Sequence, residues 1–389
     1  MSPNPQRRPP PALSETPQGP ELRLVDSTPT LEIQERSNRW DFARLEPQWN
    51  QLAKGTAPFS QHAFLRIWLD NFAPRQNLRL LLAYDNRELV GALPLIEGGT
   101  FLGLPVRQLT AAANPHSCRF DLLATEPERV GRAFFERLAA RHDWDVLRIS
   151  DVPDGGGAWH LYRAAQEAQF PVGIWESMRS PYLPLPKVYS SLEERLQGKF
   201  RSNLRRRRRR LSERGEVRVE RVTGGPDLDA RLEEGLALER SGWKGQRGTA
   251  IAQDRGTHGF YSELARSASY AGRLSMFFLR LDGRAIAFHY GLQKDQRYFL
   301  LKPAYAEDLA ECSPGQLLME EVLRDCVARG IEELDFLGPD MPWKRDWTQH
   351  TRVHHWLFVF RDHALGRALR RAKFDWLPAL KRTLSGRRE

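Results

Sequence analysis

Residues 274–305 read LSMFFLRLDGRAIAFHYGLQKDQRYFLLKPAY, and this stretch determines the fold class. Two apolar, β-favouring runs flank Asp282-Gly283, and a third run follows Lys294-Asp295. Asp-Gly between such runs is a strong signal for a two-residue hairpin. The stretch therefore predicts three consecutive antiparallel strands.

A helix and a further strand follow this meander. Apolar residues recur at four-residue spacing between Leu318 and Val327, which predicts an amphipathic helix that Gly330 ends. Residues 333–337, ELDFL, are typical of a strand. Because the connections are short, the strands on either side of the helix should be parallel, with a right-handed crossover. The order is β-β-β-α-β, followed by a polar and aromatic loop, GPDMPWKRDW, at 338–347.

The first half of the chain has the same order of elements. A hairpin turning at Asp85-Asn86, a helix opened by Pro127 and a strand over 146–149 repeat the pattern. Two copies of one unit explain the 389 residues better than one large domain. We therefore expect an α/β protein of two tandem units, each a mixed sheet flanked by helices, at residues 30–186 and 187–362.

The two ends of the chain differ from these units. Eight prolines and few large apolar side chains predict a disordered tail over residues 1–29. Residues 363–389 predict a basic helix, for which domain packing and an interfacial membrane position both remain open. The sequence shows no signal peptide and no long apolar stretch, which predicts a cytoplasmic protein without a transmembrane segment. A peripheral position at the inner face of the membrane stays open.

The three cysteines lack metal-binding spacing, so we expect reduced thiols and no metal site. The net charge of +10 favours acidic partners. Six consecutive arginines, Arg205–Arg210, lie on a predicted amphipathic helix with Leu192, Leu196, Phe200 and Leu204 on its apolar stripe. One interpretation is a solvated helix whose arginine stems cover apolar neighbours. The other is a phosphate-binding face for RNA, an anionic membrane or a nucleotide-linked substrate.

The β-β-β-α-β order, with a glycine at the start of the helix, resembles the GNAT acyltransferases. Five phrases resemble more closely the CelD/BcsL-like (cellulose-biosynthesis type) acetyltransferases, which are related to the FemABX aminoacyltransferases. These phrases are ERSGWKGQRGTAI (239–251), DGRAIAFHYGL (282–292), LLKPAYAED (300–308), CSPGQLL (312–318) and LDFLGPDMPWKRDW (334–347). The resemblance implies two tandem GNAT-like units, with the active site in the second.

The resemblance also implies an activity. It is transfer of an acetyl or other acyl group from acyl-CoA, as co-substrate, to an amine or hydroxyl. The acceptor would be a small molecule or glycan of the cell-envelope or exopolysaccharide pathway. Two alternatives stay open: aminoacyl transfer from aminoacyl-tRNA, as in the FemABX family, and a non-catalytic RNA- or membrane-binding protein with this fold. The sequence does not identify the acyl group, the acceptor or the oligomeric state.

Candidate site residues follow from the resemblance and from residue chemistry. The pyrophosphate of the donor is expected at the start of the helix, where the dipole and unpaired N–H groups coincide, and the residues are Lys302, Ser313, Gly315, Gln316 and Leu317. Substrate contacts are expected from Trp243, Lys244, Thr249 and Trp343. The first three lie in a glycine-rich stretch, which is either a ligand loop or a flexible connector.

Four residues are candidates for chemistry. Lys344 resembles a family lysine that follows the last parallel strand, where a cation could steady an oxyanion. His289 lies in the middle of a strand and is either a core histidine or a base facing the cleft. Asp335, inside an apolar strand, is costly to bury without a partner, which favours a functional or ion-pair role. Tyr305, at the end of a strand, is the candidate proton donor.

Overall fold

The structure is a computed structural model that describes residues 31–241 and 254–385. The tail expected to be disordered, 1–29, and the candidates Trp243, Lys244 and Thr249 lie outside the described residues. Within the described ranges, none of the helices combines the length and the apolar character needed to cross a bilayer.

The first half of the chain contains nine strands and five α-helices among its described residues. In order they are β1 (Glu32–Arg36), α1 (Arg39–Arg44), α2 (Glu46–Leu52), α3 (His62–Phe72), β2 (Leu78–Asp85), β3 (Glu88–Glu97), β4 (Thr100–Phe101), β5 (Leu104–Pro105), β6 (Gln108–Ala111), β7 (Leu123–Ala124), α4 (Pro127–Ala139), β8 (Val146–Pro153), α5 (Ala158–Glu167) and β9 (Val172–Pro184).

The second half repeats the meander, helix and strand. Its elements are α6 (Tyr189–Arg195), α7 (Gly198–Ser212), β10 (Val217–Val222), α8 (Leu228–Ser241), α9 (Arg255–Tyr270), β11 (Met276–Leu281), β12 (Arg284–Lys294), β13 (Arg297–Tyr305), α10 (Pro314–Ala328), β14 (Glu333–Asp335), α11 (Pro342–Arg345), β15 (Thr351–Phe360), α12 (Ala364–Arg371) and α13 (Leu377–Ser385). A π-helical turn, Ala372–Trp376, joins the last two helices.

The predicted hairpins are confirmed. Asp282 and Gly283 have φ angles of 48° and 82°, and strands β11 and β12 pair antiparallel on either side of them. In the first half the turn lies one residue later than Asp85-Asn86: Asn86 and Arg87 have φ angles of 47° and 72°, between the antiparallel strands β2 and β3, and Asp85 pairs with Glu88. Positive φ at both central residues matches the twist of the flanking strands, so the turn chemistry in the sequence sets the register.

Two predicted elements are shorter than their patterns suggested. The stripe that begins at Leu192 is carried by two helices, α6 and α7, because Leu196 between them is extended, with ψ of 147°. Leu196 is still buried, so the apolar spacing survives the break. The strand expected over 333–337 ends at Asp335, since Leu337 adopts a left-handed conformation with φ of 51°.

The strands form one long mixed sheet in the order β1-β2-β3-β6-β8-β15-β9-β14-β13-β12-β11-β10. The pairs β6–β8 and β13–β14 are parallel, as the strand–helix–strand pattern predicted. Strand β15, from the end of the chain, lies between β8 and β9 of the first half. The first half therefore obtains one of its central strands from the second.

A shared core joins the halves on one face of this sheet. Helix α3 of the first half packs on α9 of the second, and the ring of Phe260 lies 5.5 Å from Phe64 and 5.0 Å from Phe72. The opposite face carries separate cores, one under α4 and α5 and the other under α10. Burial of aromatic rings from both halves in one cluster holds them in a fixed arrangement.

Candidate active site

The two parallel strands of the second half separate part of the way along their length. Strand β13 pairs with β14 only from Arg297 to Phe299, although β13 continues to Tyr305. After Asp335 the chain turns away, and the N–H of Phe336 donates instead to Pro181 O of the first half, at 3.1 Å. A V-shaped opening therefore forms between the end of β13 and the loop that follows β14.

A β-bulge lies on the strand that lines this opening. Tyr290 of β12 is opposite Lys302, whereas the next residue, Gly291, is opposite Leu300, so Leu301 is the extra residue. A bulge re-aims the backbone and the side chains that follow it, and bulges concentrate near functional sites. Here it precedes the candidates Lys302 and Tyr305 at the wide end of the opening.

The start of helix α10 faces the same opening. Ser313, which precedes it, is left-handed with φ of 47°. Pro314 has no N–H, and the N–H groups of Gln316 and Leu317 donate to Ser313 O at 3.0 and 3.2 Å. In the described part of the chain the N–H of Gly315 has no hydrogen-bond acceptor. This corner therefore offers one backbone donor, whereas the Q/R-x-x-G-x-G/A motif of GNAT enzymes would offer several.

Tyr305 and Gly315 are neighbours across the corner. A Cβ built on Gly315 would lie 3.5 Å from Cδ1 of Tyr305, which is ordinary contact and leaves the space beside the glycine accessible. The Tyr305 side chain is partly exposed. Leu317, by contrast, is buried in the core under α10. Of the predicted donor-binding residues, Ser313 and Gly315 lie at this corner beside the candidate proton donor Tyr305, while the side chain of Leu317 points into the core.

The side chain of Gln316 binds the loop that follows β14. Its Oε1 accepts from Nε1 of Trp347 at 2.6 Å, and its Nε2 donates to Trp343 O at 3.2 Å. The Trp343 ring packs edge-on against Phe336, with ring centroids 5.7 Å apart. Gln316 and Trp343, predicted to bind donor and substrate, thus fix the loop at the mouth of the opening.

Lys344 is buried in that loop. Its side chain is 4% exposed, and Nζ donates to Leu337 O at 2.5 Å and to Pro339 O at 2.8 Å. The ammonium therefore holds the left-handed turn at which the chain leaves β14. A cation is present beside the opening, as the sequence predicted, and its hydrogen bonds also shape the opening.

Asp335 forms a buried ion-pair cluster at the narrow end of the opening. Its carboxylate accepts from Arg119 of the first half, from Arg352 Nη1 at 3.3 Å and, through Oδ1, from the N–H of Leu337 at 2.9 Å. Arg352 also pairs with Glu333 at 2.5 Å. The expectation that Asp335 requires a partner is met by two arginines, one from each half.

Two histidines of this region are buried without hydrogen-bond partners for ring nitrogens. Both ring nitrogens of His354 and the Nδ1 of His289 lack a partner among the described residues. Burial lowers the pKa of His289 to about 3, and burial, reinforced by Arg119, lowers the pKa of His354 to about 4. His289 lies opposite Phe277, whose side chain belongs to the core under α10. Both rings are therefore neutral at pH 7.

The first half contributes further polar side chains near Lys302. Nζ of Lys302 lies 5.4 Å from the ring centroid of Tyr261, and the Tyr261 hydroxyl is 3.2 Å from Nδ1 of His116. Burial and the charge of Lys302 lower the pKa of His116 to about 4, and burial raises the pKa of Cys118 to about 11. This group lies between the halves and carries the positive charge of Lys302.

Sequence reasoning missed the first-half residues Arg119 and His116, together with Arg352 and His354. Arg352 and His354 alternate along β15, so the period of two in TRVHHW was a signal for polar side chains on one face of a strand. Arg119 and His116 lie in a loop and carried no such signal.

The arginine helix α7 is partly neutralised by acidic side chains. Arg208 binds Glu320 of α10 at 2.8 Å, and Arg205 binds Glu193 at 2.8 Å. Glu320 is buried, so Arg208 compensates a charge inside the protein. The run Arg205–Arg210 is therefore not a purely solvated surface, and part of it secures α7 to the core of the second half.

One further arginine of this helix, Arg207, lies near the mouth of the opening. Burial raises the pKa of Asp346, and the nearby charge of Arg207 opposes that rise. Asp346 accepts from Gln316 Nε2 at 3.3 Å, which places Arg207 close to the start of α10. Arg214 pairs with Glu311 just before the same corner. Arg207 thus brings positive charge near the single-glycine helix start, whereas Glu311 neutralises Arg214.

Comparison with known proteins identifies the type of domain. Residues 198–345 match a family model described as "Acetyltransferase (GNAT) domain". No curated protein sequence matches the chain.

Three solved structures are similar with TM-scores of 0.52, and each alignment covers 85% of this chain. One is the C-terminal domain of a putative lysylphosphatidylglycerol synthetase from Agrobacterium fabrum, with 13% identity and 96% of that chain covered. The second is FemX, with 11% identity and 98% covered. The third is a conserved protein of unknown function from Bacteroides thetaiotaomicron, with 14% identity and 100% covered.

At these identities the likeness to solved structures concerns the fold alone. The opening between β13 and β14, the bulge before it and the helix that starts beside it all fall within the matched region. Residues 198–345 therefore carry the signature of an acetyltransferase (GNAT) domain, within an α/β fold of two GNAT-like units.

Proposed function

We propose that the second half catalyses transfer of an acyl group from acyl-CoA to an amine or hydroxyl. The observation that carries this proposal is the opening between β13 and β14, with Tyr305 and the start of α10 at its mouth. A substrate can lie there against the backbone groups that β13 and β14 leave unpaired, above the buried Asp335 cluster at the narrow end.

The residues at the helix start fit a phosphate group of the donor. The N–H of Gly315 has no acceptor among the described residues, and the absent side chain leaves space beside it. The dipole of α10 adds positive potential at that end. Acyl-CoA would supply an activated thioester at the opening. In this assignment the acceptor nitrogen or oxygen displaces the thiolate from the acyl carbon, the Tyr305 hydroxyl donates a proton to that thiolate, and the proton that the acceptor loses restores the hydroxyl. The cation of Lys344 stabilises negative charge that develops at the opening.

The acceptor would enter from the side of the first half. Lys302 and His116, both partly exposed, offer a cation and a neutral imidazole on that side, with the buried Tyr261 between them. These groups suit hydroxyl-rich or anionic molecules through hydrogen bonds and charge. The resemblance to CelD/BcsL-like acetyltransferases supports a small-molecule or glycan acceptor of the cell-envelope or exopolysaccharide pathway, acted on in the cytoplasm.

Aminoacyl transfer from aminoacyl-tRNA is the second candidate, and one observation favours it. The positive charge of Arg207, which forms no ion pair among the described residues, lies near the mouth of the opening. The acceptor end of a tRNA carries many successive phosphates that positive charge beside the opening would attract, whereas an acyl-CoA carries few phosphates. A non-catalytic protein that retains the fold would bind neither donor in the opening.

Calorimetry of the full chain with acetyl-CoA and, separately, with aminoacylated tRNA tests these assignments. We expect one-to-one binding of acetyl-CoA with a Kd on the order of tens of micromolar, since one backbone donor replaces several. Gly315→Val should abolish this heat. Glu128→Val is the matched control, because Glu128 follows Pro127 at the start of α4 as Gly315 follows Pro314.

The outcomes distinguish the candidates. Heat from acetyl-CoA that survives Gly315→Val would place the donor elsewhere. Heat with aminoacylated tRNA but not with acetyl-CoA would favour aminoacyl transfer over acyl transfer from acyl-CoA. Absence of heat from both would contradict catalysis at this opening.

A further inference from the structure

The last helix of the chain presents apolar side chains to solvent. Trp376 is 59% exposed, Leu377 39% and Leu380 56%. On a helix these positions form one stripe, because residues three and four apart lie on the same face. All residues from Asp375 to Leu380, at the end of the π-helical turn and the start of α13, are exposed. Their side chains are therefore not packed into a core of the described structure.

The preceding segment, by contrast, is anchored. Leu369 of α12 is buried, and the ring of Phe374 in the π-helical turn lies 5.4 Å from Phe358 and 6.3 Å from Phe360 of β15. A Cβ at Gly173 of β9 would overlap the Phe374 ring, so the absence of a side chain at residue 173 leaves room for that ring. The exposed stripe therefore projects from a fixed base on the central strands.

A second exposed apolar element rests on the same base. Phe101 of the small β4–β5 hairpin packs 6.1 Å from Phe358 and 5.6 Å from Phe360, the rings that also hold Phe374. At the tip of this hairpin Leu102 is 38% exposed and Leu104 is 50% exposed. The hairpin and the last helices thus share one face of β15, opposite the face on which Leu357 packs under α4 and α5.

We define the apolar end surface by its five exposed side chains, Leu102, Leu104, Trp376, Leu377 and Leu380. The sequence of the segment that carries its last three residues is basic. From Gly366 to the end, the chain has eight lysines and arginines against Asp375 and Glu389, a net charge of +6. Lys373 lies 4.2 Å from the ring centroid of Trp175, which is itself 46% exposed beside α12. The surface therefore combines four leucines and the indole of Trp376 with the excess positive charge of the segment that carries three of them.

We propose that the apolar end surface docks this protein on an anionic phospholipid bilayer. Leucine and tryptophan side chains gain by entering the interfacial region, and basic residues beside them gain from anionic headgroups. An isolated helix as short as α13 is marginal in water, so burial of its stripe in the interface would stabilise it. The proposal concerns a surface away from the opening and does not depend on the acyl donor.

Two other occupants fit less well. A second copy of the chain would bring two segments of net charge +6 together, and their repulsion opposes such a contact. RNA would satisfy the charges but would leave the leucines in water, since nucleic-acid backbones bind basic and polar groups. A bilayer with anionic lipid satisfies both kinds of side chain at once.

Flotation of the full chain with vesicles tests the proposal. Vesicles of phosphatidylcholine mixed with phosphatidylglycerol should bind the protein, and vesicles of phosphatidylcholine alone should bind it at least about fivefold more weakly. Trp376→Ser/Leu380→Ser should lower binding to the mixed vesicles by more than about tenfold, because each side chain loses its transfer free energy. Trp40→Ser/Val219→Ser, at sites exposed by 78% and 43% elsewhere, is the matched control and should bind as the wild type does.

A separate variant tests how much the basic residues contribute to vesicle binding. Arg367→Gln/Arg371→Gln should weaken binding to the mixed vesicles about tenfold, and added salt should then have a smaller effect. Unchanged melting temperatures would show that all variants are folded. Equal binding by the Trp376/Leu380 variant and the wild type would overturn the proposal. So would a wild-type dimer that the same variant converts to monomers while no vesicle binding occurs, because the surface would then be a contact between copies.

Discussion

Arg119 of the first half donates to the carboxylate of Asp335 at the end of β14, and this buried ion pair joins two residues that are 216 positions apart. The carboxylate is fully buried and Arg119 is nearly so. Removing one partner of such a pair leaves an uncompensated charge in the interior. The link therefore fixes the first half against the narrow end of the opening.

Asp335→Asn should lower the free energy of unfolding by about 3 kcal/mol, since Arg119 loses its carboxylate while the N–H of Leu337 keeps an acceptor. Urea denaturation measures the change. Glu176→Gln, which removes the exposed ion pair with Arg179, is the control and should cost less than about 1 kcal/mol. Equal losses for the two variants would contradict a structural role for the Asp335 cluster.

Lys344→Met should lower turnover by a factor on the order of a hundred, the effect of losing one group that stabilises developing charge. It should also destabilise the protein by about 1 to 3 kcal/mol, because two backbone carbonyls lose their donor. Release of coenzyme A from acetyl-CoA with a panel of amino sugars and amines measures the first effect, and thermal melting measures the second. Unchanged turnover in a destabilised variant would restrict Lys344 to holding the loop.

His289→Leu should change turnover by less than about threefold, since the imidazole faces the core beside Phe277 and its pKa of about 3 makes it a weak base. The same coenzyme A assay applies. A hundredfold loss, the size expected for a general base, would show that the ring reaches the substrate and would support the cleft-facing interpretation.

His354 makes stability depend on pH. Its pKa is about 4 in the folded protein and 6.5 in the reference state, so the unfolded chain binds a proton first as pH falls. The contribution of neutral His354 to the free energy of unfolding is complete above pH 6.5. It decreases by about 3 kcal/mol as the pH falls from 6.5 to about 4. His116 and His289 add to the slope in the same direction, so His354→Phe should reduce it by the share of one histidine in urea unfolding measured across that window. A slope that persists unchanged would mean that the ring is hydrated or paired.

Arg206, Arg207 and Arg210 of α7 form no ion pair with an acidic side chain among the described residues. Replacing all three with glutamine should weaken binding to tRNA and reduce the slope of log K against log salt by about 2 to 3. The control replaces Arg205, Arg208 and Arg209, which have glutamate partners, and should lower stability more than binding. If both triple variants bind tRNA equally well, α7 is not a phosphate-binding face.

The sequence was most informative where the signal is local. Asp282-Gly283 identified a hairpin because type I′ turns require residues that tolerate positive φ. The alternation of side chains along β15 is typical of a strand, but a period of two does not reveal which strands will be its neighbours, so its place between β8 and β9 was not predictable. The break at Leu196 was missed because the apolar spacing continues across it.

The candidate site shows the same limit. Lys344 and the corner at Gly315 were found because family phrases surround them, and the structure places both beside the opening. Arg119 was missed because its partner Asp335 is distant in sequence, and no periodic pattern links a loop in one half to a strand in the other. Roles that arise from such long-range contacts require the three-dimensional arrangement.

The insertion of β15 between β8 and β9 constrains how the protein is made. During synthesis the ribosome releases the first half well before residues 351–360 emerge, and until then the edges of β8 and β9 lack the strand that separates them. Unprotected edges attract other strands, which is a route to misassembly. The two halves therefore cannot be treated as independent modules: a nascent chain cut before residue 351 would carry an unfinished first half, although that half would be complete in sequence.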